Sequence, residues 1–163
     1  MTLTALGLSM GSTLAIWATA LDPTIDACID LCCPAEYDAL IESGGFDQHG
    51  EYFFVPGLRA EFTAAEISAL IAPRRHLSLV GRDDPLTPLA GVPSINTVLK
   101  ATYASLGSLI TGNNKCFPAL IRKPQLCAAQ CCGSLFAKQC VELLGKFSTA
   151  TVMLGSKFAL SAR

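Results

Sequence analysis

Thr2–Leu8 is a short apolar run that stops at Gly-Leu-Ser-Met-Gly, a pattern that predicts a buried strand. From Gly11 onward Leu14, Trp17, Ala18 and Leu21 recur at helical spacing, and Asp22-Pro23 ends the helix, because the residue before proline is pushed out of the α region. Ile25–Cys33 alternates, with Ile25, Ala27, Ile29 and Leu31 on one face and Asp26, Cys28 and Asp30 on the other, which predicts a second strand. Pro34–Gly57 carries Gly44-Gly45, Gly50 and Pro56-Gly57 among the aromatics Tyr52, Phe53 and Phe54. It reads as an ordered excursion near a binding face.

Thr63-Ala-Ala-Glu66 is a capping box that opens a short helix through Ile67, Leu70 and Ile71, ending before Pro73. His76–Val80 is a third strand, closed by Gly81. Ser94 is expected to cap a helix with Ile95, Val98, Leu99, Thr102 and Leu106 on one face and Gly107 at its end. Strand and helix alternating three times is the grammar of a parallel α/β sheet. Beyond Gly107 it fails. Cys132, Leu135, Phe136, Gln139, Leu143 and Phe147 could share one helix face, and nothing else can be placed. The expected division is 1–107, a partial α/β domain, and 108–163, an unassigned basic, cysteine-containing tail.

Charge sharpens that boundary. Residues 1–84 hold twelve acids and four arginines, whereas residues 85–163 hold one acid, Glu142, against eight Lys and Arg. Half of the chain is apolar and 15% is charged, which argues against global disorder. Met1–Leu21 imitates a secretion signal, but the first positive side chain is Arg59, so a charged leader region is missing. No run is long and apolar enough to predict a membrane span. The eight cysteines are then expected as reduced thiols in a cytoplasmic protein. Cys28, Cys32 and Cys33 read as small core side chains. Cys127, Cys131, Cys132 and Cys140 match no common zinc spacing, so no metal and no other cofactor is expected.

Two motifs carry chemistry. Gly7-Leu-Ser9-Met10-Gly11 fits a nucleophile elbow, in which a serine occupies a tight strand-to-helix turn. Glycines two residues either side let strand and helix approach, and the Met10 N–H is then one oxyanion-hole donor. Gly81-Arg-Asp-Asp84-Pro-Leu-Thr-Pro88 follows a strand directly, where catalytic groups of open α/β sheets gather. Asp84 is well placed there to orient a histidine, and it follows Ser9 by about 75 residues.

These motifs, with Ala20–Asp30, His49–Gly57 and Ile71–Gly81, resemble bacterial α/β-hydrolases of the dienelactone hydrolase and acetyl xylan esterase type, over roughly residues 2–105. The resemblance implies a serine hydrolase of small carboxylic esters, with Ser9 as nucleophile and Asp84 as triad acid. Neither nucleic acid nor membrane is an expected partner. Self-association is expected through an exposed sheet edge, since three strands of a larger sheet leave one open.

Two departures weaken the expected activity. The family carries strands and an oxyanion loop before the elbow, and it places its triad histidine beyond the acid, whereas no histidine follows His76 here. His76 opens the third strand, roughly 15 Å or more from the catalytic edge, and is expected at the strand edge or in the core. His49 lies near the binding face, but in the wrong order for a triad base. A serine without a base is a poor nucleophile, so activity is expected to be weak or absent. A truncated or frame-shifted reading frame accounts for the start at the elbow and the altered tail together. The alternatives are a non-catalytic module that binds a partner and a cysteine-based metal or redox protein.

Overall fold

The computed structural model describes residues 3–32, 35–50, 53–81, 84, 86–107, 118–121 and 151–154. Its centre is a parallel sheet. Strand β1 (Thr4–Leu8) runs into helix α1 (Met10–Leu21) and returns as β2 (Ala27–Leu31). After the short helices α2 (Tyr37–Glu42), α3 (Leu58–Glu61) and α4 (Ala64–Ala69), the chain re-enters as β3 (Arg75–Gly81) and leaves through α5 (Val92–Ser105). Two further strands, β4 (Pro118–Ile121) and β5 (Thr151–Leu154), extend it on both sides, giving the order β4-β3-β2-β1-β5 with every pairing parallel. This is an α/β fold with helices flanking a parallel sheet.

β2 lies at the middle and is buried at all five positions. A strand between two parallel neighbours, with side chains alternating to either face, has no solvent-facing side when both faces are covered. Its alternation of Ile29 and Leu31 with Cys28 and Asp30 is therefore not an inside–outside pattern. Asp30 is as deep as Ile29.

Helix α1 lies against the face that carries Ala5 and Cys28, where Ala15 and Ile16 meet Ile67 of α4 and Ile71 in one apolar cluster. Ala65 of α4 joins Ile95, Leu99 and Tyr103 of α5 in a second. Burying each large aliphatic side chain there contributes on the order of 2 kcal/mol. The excursion makes a third cluster of Ala35, Tyr37, Leu40 and Phe53. It contains α2 and a helical turn at Phe46–Gln48, and α3 follows directly after it. Short helices of four and six residues carry too little periodicity to be read from sequence.

The capping box forms as expected: the Thr63 side chain accepts from the Glu66 N–H, and the Glu66 carboxylate accepts from the Thr63 N–H. Helix α5 differs from expectation. It begins at Val92 rather than after Ser94, with Pro93 in the first turn, where a missing N–H costs nothing. Ser94 instead donates its hydroxyl back to the Gly91 carbonyl. The amphipathic pattern drawn from Cys132 to Phe147 lies outside the described residues. Among the described residues no helix is long and apolar enough to cross a membrane.

Candidate active site

Ser9 sits between the last residue of β1 and the first of α1, with φ 53° and ψ −119°. A serine at positive φ is uncommon, and holding it there costs on the order of 1–3 kcal/mol unless the surroundings dictate it. They do. A Cβ on Gly7 would lie 1.9 Å from the Gly11 carbonyl oxygen, so β1 and α1 approach closely enough that only glycine fits.

The turn is also pinned to the neighbouring strand. The Ser9 N–H donates to the Leu31 carbonyl at 2.9 Å. The buried Ser12 hydroxyl lies 2.7 Å from the Gly7 carbonyl and 2.8 Å from that of Leu31, and it accepts from the Leu31 N–H at 2.7 Å. Ser12 had no assigned part in the sequence motif. It holds the strand end, the helix start and β2 together. Met10 opens α1, where the first N–H groups lack intrahelical partners and the helix dipole favours negative charge.

Asp84 follows β3, and its side chain is buried. One carboxylate oxygen, Oδ1, accepts from the Leu86 N–H at 3.0 Å. The other, Oδ2, is buried with no hydrogen-bond partner among the described residues. A buried carboxylate oxygen without a donor is costly and calls for one. Because β1, β2 and β3 are parallel, Ser9 and Asp84 both lie at the carboxyl edge of the sheet. Two strand spacings separate their strands, about 10 Å. An imidazole between two such groups would span much of that gap.

Neither histidine is in that place. His76 is buried in β3 with its Nε2 2.6 Å from Asp30 Oδ2, while Ser78 Oγ donates to Asp30 Oδ1 at 2.7 Å. This agrees with the core position read from its place in the strand. The partnership with Asp30 was missed, although Cys28 and Asp30 share a parity on β2 that a parallel register pairs with His76 and Ser78. His49 stacks on Phe53 with ring centroids 4.7 Å apart, and its Nε2 lies 2.8 Å from the Leu86 carbonyl. It thus fastens the excursion to the loop that carries Asp84. Cys32, at the end of β2, has φ 60°, and its N–H donates to the Leu79 carbonyl, so the carboxyl edge holds a second constrained residue.

A cavity of ≈ 30 Å³ lies in the helical layer, lined by Thr13, Trp17, Tyr37, Phe53, Ser68 and Ile95 among others. That is water-sized, too small for an organic substrate.

Among curated proteins, the chain is 48% identical over 103 residues to a Bacillus subtilis (strain 168) protein named "Putative hydrolase YtaP". The match takes in 63% of this chain and 34% of that protein, so the chain spans about a third of the length of the relative it matches. No family model matches the chain, and no solved structure matches it.

Proposed function

We propose that this chain carries the nucleophile and acid of a serine hydrolase acting on small carboxylic esters, of the dienelactone hydrolase and acetyl xylan esterase type. Ser9 is the nucleophile, the Met10 N–H stabilises the oxyanion, and Asp84 is the acid that orients the base. Gly7 and Gly11 shape the elbow. The observation that carries this reading is the backbone of Ser9: a strained serine at a strand-to-helix turn, held by the Gly7–Gly11 approach and the Ser12 hydroxyl. The unpartnered Asp84 oxygen and the likeness to a protein named as a hydrolase support it.

In such a reaction Ser9 Oγ attacks the ester carbonyl, a base takes its proton and returns it to the leaving alcohol, and water then releases the acyl group. His76 is engaged by Asp30 and His49 by Leu86, so the chain is expected to be slow without an added base. The test supplies one. With p-nitrophenyl acetate, added imidazole should raise the rate of the unaltered chain above that of Ser9→Ala under the same conditions. Equal rates for both would overturn the reading and favour a non-catalytic module.

A further inference from the structure

We infer that Cys28, Asp30 and His76 form a cation site, with zinc as the fitting ion, in the sheet face beneath α1. The inference is independent of the hydrolase reading. One donor atom from each residue lies within 4.8 Å of the other two, and all three side chains are buried. The arrangement follows from strand geometry. Cys28 and Asp30 are two residues apart on β2 and point to one face, and His76 of β3 stands in register opposite Cys28. Two alternate positions on one strand and one on its neighbour present three donors around a common point, without help from a loop.

The chemistry of the donors selects the ion. Thiolate, imidazole and carboxylate together suit zinc, whereas magnesium and calcium call for oxygen. Zinc bonds of about 2.0–2.3 Å place neighbouring ligands roughly 3.3–3.7 Å apart. The 2.6 Å contact between Asp30 and His76 is shorter than that, so the ion takes the place of the proton held there. On uptake Cys28 loses its thiol proton to solvent. The proton in the contact passes to the other ring nitrogen or to solvent.

Ser78 donates to the second Asp30 oxygen and so fixes the carboxylate, as outer-shell partners do in zinc sites. Ala5, Ile16, Ile67 and Ile71, which cluster with Cys28, supply an apolar surround, and a water would complete the tetrahedral shell that three protein ligands leave open. A metal there would join β2 to β3 directly under α1.

The probe is cobalt(II), used with the complete chain in place of zinc. We expect one equivalent bound after desalting, with the visible bands of a tetrahedral ion and a sulfur-to-cobalt charge-transfer band. Cys28→Ala and His76→Gln should lose those bands, and Cys127→Ser should keep them. X-ray absorption on the zinc-loaded, unaltered chain should find one sulfur among nitrogen and oxygen neighbours, a result that needs no variant to fold. Failure of the unaltered chain to retain metal, a sulfur-rich shell, or undiminished bands in a folded Cys28→Ala would each overturn the inference.

Discussion

At Ser9 the backbone conformation works against the residue that occupies it. A left-handed φ suits glycine, yet a glycine would have no hydroxyl to offer, and the surrounding packing holds the turn regardless. On the proposed reading of Ser9 as nucleophile, stability and reactivity pull apart at this position. Ser9→Gly should be more stable than Ser9→Ala by about 1 kcal/mol, since alanine keeps the strain and glycine relieves it. Urea unfolding of the two variants, followed by the fluorescence of the one tryptophan, Trp17, measures the difference. Equal midpoints would mean that the turn is not strained. Asp84 presents the related case of a buried oxygen with no hydrogen-bond partner among the described residues.

Between elements, Glu36 is the clearest joint. It precedes α2, its carboxylate accepts from the Ala65 N–H at the start of α4 at 2.8 Å, and its Cβ faces Gly91 so closely that a Cβ there would lie 2.8 Å away. Burial pushes its pKa above the usual 4.5, outweighing the backbone hydrogen bonds that lower it. A raised carboxyl pKa means that the folded state binds the proton more tightly than the unfolded chain. Stability is then lost as pH rises from the ordinary carboxylate range through the raised value. Glu36→Gln keeps an acceptor for Ala65 and removes the buried charge. It should melt higher than the unaltered chain at neutral pH, with the advantage gone below about pH 4. Thermal melts across that range check it, and a variant that melts lower at neutral pH would contradict it. Glu66 behaves oppositely, because its hydrogen bonds to Thr63 hold its pKa down. The capping box of α4 thus weakens as pH falls through the lowered value, and both trends belong to one small helix.

Across the whole molecule the sheet concentrates its polar cost in one place. His76 Nε2 and Asp30 Oδ2 lie 2.6 Å apart with side chains 3% and 0% exposed, deep in the central strands. By contrast Arg59 and Asp38 pair at the surface, 63% and 72% exposed, where such a contact is worth little. Removing one partner of the buried pair leaves the other without compensation. Asp30→Ala should lose about 3–5 kcal/mol in the metal-free chain, whereas Arg59→Ala should change stability by less than about 0.5 kcal/mol. Denaturant titration with a chelator present compares them, and similar losses would refute the contrast.

The strands β1, β2 and β3, helix α5 and the capping box were legible because each is a local pattern: period two, period near 3.6, or a side chain reaching its own backbone three residues away. The Ser9 turn was legible for the same reason, since Gly7 records in sequence a close approach of β1 to the start of α1 that admits no Cβ. The helix α1 was legible in place but not in face, since Leu14 and Leu21 are exposed and Ala15, Ile16 and Thr19 are the buried positions. Other features depend on which distant segments meet, and no local pattern encodes that. Register set Cys28 opposite His76 and Asp30 opposite Ser78, turning an apparent polar face into a buried network. Pairing also brought residues 118–121 and 151–154 alongside β3 and β1, from sequence with no strand-helix alternation. The turn at Ser9 and the place of Asp84 directly after β3 were written locally; the engagement of His49 with Leu86 and of His76 with Asp30 was decided only when the chain folded.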